Sequence, residues 1–341
     1  MTSIRVGIAG VTGYAGQDLL RLLLAHPGVK LTYLASSGKS DAAAVLRHFG
    51  GLPVAVEPFD AATCARSCDA AFLGLPHEAS MQAVPTLLAA GTRVLDLSAA
   101  FRLRNPARYG EFYGFSHTAP SLLGKAVYGL PELAKGRLKG ARLIAVPGCY
   151  PTGALLPLAP LLARKLIAGP IIIDAKSGVT GAGRGERADL MFAEVNENFR
   201  AYGIHTHRHT PEIGQELAKA AGRPVGFTFV PHLVPMNRGI LTTAYITMRK
   251  ALTADGLRAV LHAAYRTTPF VRILAKGIPD TRGVRGTNFC DIGVAVRGRE
   301  AVLVSAIDNL GKGAAGQAIQ AFNLQHGFRE TTGLLVPAGA P

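Results

Sequence analysis

Ile4-Arg5-Val6-Gly7-Ile8-Ala9-Gly10-Val11-Thr12-Gly13-Tyr14-Ala15-Gly16 is the stretch on which the fold turns. An apolar run that reads as a buried strand ends in three evenly spaced glycines. A leucine-rich segment at 17–25 follows, closed by His26-Pro27-Gly28, which is a helix and its stop signal. Strand, glycine turn and helix in this order form the opening of a doubly wound α/β domain. Glycines there let the backbone turn sharply and approach a pyrophosphate, while the helix start supplies amide groups and the positive end of its dipole. A plain tight turn would carry the same glycines, but the strand before and the helix after favour dinucleotide binding. Gly10, Thr12, Gly13, Tyr14, Ala15 and Gly16 are the candidate cofactor residues.

Outward from this loop, further apolar runs at 29–35, 70–74, 93–97 and 143–146 read as strands. Their near-continuous apolar character points to a parallel sheet covered on both faces. Where an NAD-binding chain places a carboxylate after the second strand, this one has Ser36-Ser37-Gly38-Lys39. Hydroxyls and a cation suit a 2′-phosphate, so NADP is the expected cofactor. From Pro151 the texture changes. A helix candidate at 152–163 is interrupted by Pro157 and Pro160, and strand candidates follow at 171–175, 226–233, 240–248, 291–296 and 302–307. One helix is expected near 253–265 and another at 311–326. The expectation is a Rossmann-type domain over 1–148, completed by 308–341. A second α+β domain over 149–307 is expected to be built on a mostly antiparallel sheet.

Cys149 stands in Val146-Pro147-Gly148-Cys149-Tyr150-Pro151-Thr152, between a strand and a helix. A thiol at a helix N-terminus feels the positive dipole end, which favours the thiolate; buried packing is the competing reading. Cys64, Cys68 and Cys290 show no disulfide or zinc framework. His205, His207 and His209 alternate before Glu212. Without a nearby cysteine or spaced carboxylates, acid/base and substrate-binding work is favoured over zinc. The chain carries 37 Lys+Arg against 22 Asp+Glu, a formal charge of +15. The basic residues are scattered without aromatic interleaving, which argues against nucleic acid and for a surface that attracts anionic ligands. No apolar run is long enough to span a bilayer and no signal peptide pattern opens the chain, so a cytoplasmic, non-membrane enzyme is expected.

These segments, with Asp96–Leu103, Val127–Glu132, Ser177–Arg184, His207–Glu212 and Asp308–Gly313, occur in an order that resembles N-acetyl-γ-glutamyl-phosphate reductase of arginine biosynthesis. The resemblance covers almost the whole chain, and Pro-Gly-Cys-Tyr-Pro-Thr is its most specific part. It implies NADPH-dependent reduction of an acyl phosphate to an aldehyde through a thioester on Cys149. His207 matches the family's acid/base histidine, with His209 as the alternative, and Glu212 is expected to orient the pair. The resemblance further implies Pro76, Ser98, Gly178 and Asn309 at the cofactor and Ser177 and Tyr202 at the substrate. Arg102 and Arg184 are candidates to hold the phosphate or the substrate carboxylate, because a guanidinium forks onto either group; a solvated surface cation is the competing reading. The resemblance also implies a homodimer or tetramer. The chain departs from the family pattern at Ala100, where a second aspartate is usual, and at Glu78, where glycine is frequent. Aspartate-semialdehyde dehydrogenase shares the fold and chemistry but differs around the cysteine. The related lysine-pathway reductase acts on a substrate held by a small acidic carrier, which the positive charge would suit. There asparagine tends to follow the cysteine, and here Tyr150 does. A non-catalytic NADP sensor would keep the glycine loop without needing the thiol.

Overall fold

A computed structural model describes residues 3–38 and 41–339. The chain divides into two compact units, Met1–Pro147 with Ala314–Leu335, and Gly148–Gly313 with Val336–Pro341. Gly148 and residues 308–313 and 336–339, grouped with the first domain on sequence, cluster with the second unit.

The first unit is built on β1 (Ile4–Ala9), β2 (Val29–Ser36), β3 (Val56–Pro58), β4 (Ala70–Leu73), β5 (Arg93–Asp96), β6 (Val127–Tyr128) and β7 (Leu143–Ala145). All pair in parallel, in the order β3-β2-β1-β4-β5-β7-β6. The chain leaves β1 toward β2 and later returns to β1's other side as β4. The C-terminal ends of β1 and β4 therefore mark the switch point where such sheets take ligands. The helix Tyr14–Leu24 buries Leu19, Leu20, Leu22 and Leu23. The helix Gly316–His326 belongs to this unit and is anchored by buried amides. Asn323 Nδ2 donates to the Glu330 and Thr332 carbonyls (3.2 and 2.9 Å), and Gln320 Nε2 donates to Glu132 and Glu330 (2.9 and 3.0 Å). His26 Nδ1 accepts the Gly28 N–H, so its Nε2 donates to Asn323 Oδ1 at 2.9 Å. Burial lowers the pKa of this histidine and keeps it neutral.

The second unit holds β8 (Ile167–Ser177), β9 (Arg200–Ala201), β10 (Phe227–Leu233), β11 (Ile240–Met248), β12 (Val271–Ile273), β13 (Cys290–Arg297) and β14 (Glu300–Ile307). Their order is β12-β13-β14-β11-β8-β10-β9. The sheet is mixed. β8 and β10 run parallel, as do β12 and β13, and the remaining neighbours are antiparallel. Burial alternates along β11, so one face is covered and the other open.

The covered face packs on the helix Cys149–Ala163, which runs unbroken through Pro157 and Pro160. Each proline lacks an N–H and so leaves the carbonyl four residues earlier without a helical donor. Those carbonyls belong to Gly153 and Leu156. Ser305 Oγ donates to Gly153 O and Tyr265 Oη donates to Leu156 O, both at 2.6 Å. The expected interruption does not occur because β14 and the helix Ala254–Tyr265 supply the missing donors. Among the described residues no helix is long and apolar enough to cross a membrane.

Candidate active site

In the first unit the glycine loop is set by steric necessity at two of its positions. Gly10 has φ +85°, and a Cβ there would lie 2.3 Å from the Gly74 carbonyl oxygen, at the junction of β1 and β4. A Cβ on Gly16 would lie 2.1 Å from the Gly10 carbonyl oxygen. Gly13 caps the helix, where an added Cβ would meet only Gly10 O at 3.4 Å. Tyr14 and Ala15 open that helix, Thr12 is buried beneath it, and no acidic residue occupies its first turn. The positive end of the dipole is thus left for an anion.

At the end of β2, Ser36 is buried with its Oγ accepting the Gly38 N–H at 3.3 Å, while Ser37 is exposed. Positions 36–39 carry no acidic residue, while Glu57 of β3 pairs opposite Ala35. Lys39 lies outside the described residues. Pro76 caps the helix His77–Ala89. Ser98 Oγ donates to the buried Asp96 at 2.8 Å and accepts the Ala100 N–H at 3.1 Å. Burial raises the Asp96 pKa. Arg102 is buried, its Nε donating to Val146 O (2.8 Å) and Nη2 to Leu97 O (2.7 Å). Ala100 packs fully buried in the core with Phe101, Leu103 and Tyr109, a place where an aspartate would need a buried partner.

In the second unit Cys149 opens the helix Cys149–Ala163. It is partly exposed, whereas Cys64, Cys68 and Cys290 are buried, which separates a thiol that can react from three that pack. The cap is Gly148. Its N–H donates to Oε1 of the fully buried Glu212 at 2.8 Å, and its carbonyl accepts the Thr152 hydroxyl at 2.9 Å. The His209 ring lies over Gly148 so closely that an added Cβ would sit 2.4 Å from Nε2. His209 N–H donates to His207 Nδ1 at 3.0 Å. Neutral His207 therefore carries its proton on Nε2. Burial, with the Arg208 charge adding to it, lowers its pKa to about 4.

Tyr150 completes the cluster, its ring edge-on to His207 and His209 with centroids 5.4 and 5.9 Å away. Its hydroxyl donates to His232 O at 3.0 Å, which leaves the Tyr202 hydroxyl, 3.1 Å away, as the donor to Tyr150. Burial pushes the Tyr150 pKa up, so the phenol stays protonated. Ser177 is buried at the end of β8 and Gly178 follows, a Cβ there meeting Asn237 O at 2.7 Å. Asn309 Oδ1 accepts the Gly239 N–H at 2.7 Å and its Nδ2 donates to Thr180 at 2.9 Å, which holds the turn Val179–Ala182 in place. Arg184 is exposed just beyond that turn.

Sequence reasoning gave no role at the site to Tyr150 or Gly313, although both lie in the motifs it quotes. A Cβ on Gly313 would lie 2.8 Å from the Cys149 Cβ, so only glycine fits beside the thiol. Gly313 belongs to a single π-helical turn, Gly311–Ala315, in which its N–H donates to Asp308 O at 2.9 Å. Such turns cluster at functional sites. The signal in the sequence was the glycine pair around Lys312. Among the described residues no three His, Cys, Asp or Glu side chains converge to hold a metal.

Comparison with known proteins matches each unit to a domain family. A family profile described as the semialdehyde dehydrogenase NAD binding domain matches residues 5–141, and one described as the semialdehyde dehydrogenase dimerisation domain matches residues 149–309. An N-acetyl-gamma-glutamyl-phosphate reductase of Symbiobacterium thermophilum is 49% identical over 340 residues, covering 98% of both chains. The chain belongs to the N-acetyl-gamma-glutamyl-phosphate reductase family. The reductase of that name from Halorhodospira halophila is also 49% identical, over 97% of this chain and 98% of its own. Among solved structures, aspartate semialdehyde dehydrogenase II from Vibrio cholerae superposes with a TM-score of 0.70 at 19% identity. It covers 95% of this chain and 98% of its own. Aspartate semialdehyde dehydrogenase from Candida albicans, determined with NADP, gives 0.65 at 17% identity over 95% and 98%. At these identities the structures speak for the fold.

Proposed function

We propose that this member of the family reduces N-acetyl-γ-glutamyl phosphate to N-acetylglutamate 5-semialdehyde with NADPH, releasing phosphate. The partly exposed Cys149 at a glycine-capped helix start carries this reading. Gly10–Gly16 and the stretch Ser36-Ser37-Gly38-Lys39, which has hydroxyls and a cation in place of an acid, suit NADP, which when bound supplies the hydride. The Cys149 thiolate adds to the acyl carbon, the carbon–oxygen bond to phosphate breaks, and the departing phosphate takes up a proton. After hydride addition to the thioester carbon, the carbon–sulfur bond breaks, releasing aldehyde and restoring the thiolate. His207 is the acid/base residue. With Nδ1 held by the His209 amide, its working atom is Nε2, which in the neutral resting protein is a donor to developing negative charge. His209 braces Gly148 and His207. Glu212 acts as a positioning residue by fixing the Gly148 peptide before the thiol. Tyr202, Ser177 and Arg184 are assigned to the substrate. Arg102 is assigned to the substrate by its chemistry, and its Nε and Nη2 brace the main chain at Val146 and Leu97.

Two copies are proposed to meet on the open face of the second sheet, where the cross-strand partners Ile172 and Tyr245 are 49% and 42% exposed. The matching profile is described as a dimerisation domain. Free cysteines throughout the described residues suit a cytoplasmic location.

Cys149→Ser is expected to abolish phosphate-dependent, NADP-linked oxidation of N-acetylglutamate semialdehyde while NADP still binds. Aspartate semialdehyde run alongside distinguishes the neighbouring activity. Full turnover by the serine variant would overturn the covalent route. His207→Ala is expected to lose about 100-fold in rate.

A further inference from the structure

Away from the thiol, the second unit contains a cleft of about 510 Å³ lined by Met236, Asn237, Arg238, Thr281, Arg282 and Arg285. Its volume is in the range of small-molecule sites. Three of the six lining residues are arginines and none is acidic. Its walls are held from behind. The fully buried Asp308 accepts both Nε and Nη2 of Arg238 at 2.9 Å, and it also takes the N–H groups of Gly286, Leu310 and Gly311 at 2.6, 2.9 and 2.8 Å. One carboxylate thus ties the loop 236–239 to the loop 281–286. Gly239, at φ +118°, lets the two approach, since a Cβ there would lie 2.8 Å from the Thr281 Cβ.

Asp308 balances Arg238. The acid on the second loop, Asp280, uses Oδ1 to accept the Gly283 N–H at 2.9 Å and does not line the cleft. Arg282 is exposed, and its guanidinium has no hydrogen-bonded or ionic partner among the described residues. A built cleft lined by three guanidinium groups, one of them balanced by Asp308, and by no acid suits an anionic ligand whose oxygens accept paired N–H donors. A phosphate group, at about −1.5 to −2 near neutral pH, meets both demands.

We propose that this cleft is a binding site for a phosphate group, separate from the Cys149 cluster. The phosphate is inorganic phosphate or the diphosphate of a nucleotide. The loop that lines the site is bonded to the turn Val179–Ala182, which follows Ser177 and Gly178. Val179 N–H donates to Met236 O at 2.9 Å, and Thr180 Oγ1 donates to Asn237 O at 2.6 Å. A ligand on Arg238, Arg282 and Arg285 therefore stiffens a turn beside the reacting thiol's cluster.

The test is calorimetric titration of inorganic phosphate, and separately ADP, into full-length Cys149→Ser protein saturated with NADP at constant ionic strength. The same titrations are made with Arg282→Gln and Arg285→Gln added together. The double change is expected to remove one phosphate site or weaken it by about tenfold or more. Arg282→Lys, which keeps the charge and loses the fork, should fall between. Tighter binding of ADP than of phosphate assigns the nucleotide, and equal binding assigns free phosphate. Superimposable isotherms for the parent and the double variant would overturn the site. A change in sedimentation without a change in phosphate binding would also overturn it, giving these arginines to a subunit contact. The readout is binding, so it stands even if the semialdehyde assay fails.

Discussion

Two helices in this chain begin almost identically and are put to opposite use. Gly13 caps the first at φ −73°, ψ 160°, and Gly148 caps the second at φ −69°, ψ 158°; neither has a side-chain cap. At Gly13 the surroundings stay clear, with no acid in the first turn and no atom closer than 3.4 Å to where a Cβ would be. At Gly148 the protein's own groups close in, with Glu212 on the amide, Thr152 on the carbonyl and His209 over the Cα. The first geometry waits for an external anion. The second holds an internal nucleophile in one place. The use of a helix start is decided by what touches its cap glycine.

The strongest way to break this contrast is at Glu212. Glu212→Ala leaves the Gly148 N–H without its carboxylate acceptor and is expected to cost about 1–3 kcal/mol of stability. Turnover should fall by about 100-fold through misplacement of the thiol, seen as a kcat loss and an altered pH profile of Cys149 alkylation. Glu212→Gln, which keeps an acceptor oxygen, should recover most of the stability. At the other cap the glycines should separate. Gly16→Ala collides with the Gly10 carbonyl and is expected to lose about 1–3 kcal/mol in thermal unfolding together with NADP affinity. Gly13→Ala meets no such obstacle, so it should leave unfolding unchanged and weaken only cofactor binding. Equal destabilisation by both would show that the loop is merely a packed turn.

The smallest effect concerns pH. His207 in the second unit and His326 in the first both have pKa values lowered by burial from 6.5 to about 4. Once unfolded, each binds a proton near pH 6.5, so between about 6.5 and 4 the unfolded chain holds more protons. Stability should therefore fall as pH drops through that window and be flat above it. His326→Gln should flatten the dependence for the first unit and His207→Gln for the second, as read from denaturant midpoints.

Much of the fold is legible wherever a local pattern is long enough. The strands β1, β2, β4, β5 and β7 announce themselves as continuous apolar runs between turn signals. By contrast β3 and β6, with 3 and 2 residues, are too short to carry any periodicity. The parallel pairing of β8 with β10 is a long-range choice that neither strand encodes alone. At the site, Cys149 and the histidines are visible as residue types in a suggestive order. The link from Glu212 to Gly148, 64 residues earlier, is visible only after folding. Arg102 reads as an anion ligand by type, yet it gives Nε and Nη2 to two main-chain carbonyls, a use that no local pattern signals.

The prolines of the thiol helix have a consequence for how this unit comes into being. A segment with Pro157 and Pro160 inside it is a poor helix on its own. Its completing hydroxyls come from Tyr265 and Ser305, 109 and 152 residues away in the chain. The helix therefore cannot mature as an early local event and must wait for β14 and the helix Ala254–Tyr265 to arrive. A nascent chain that has emerged only as far as Ala163 would carry Cys149 as an ordinary thiol. Its special surroundings exist only once those distant elements have packed against the helix.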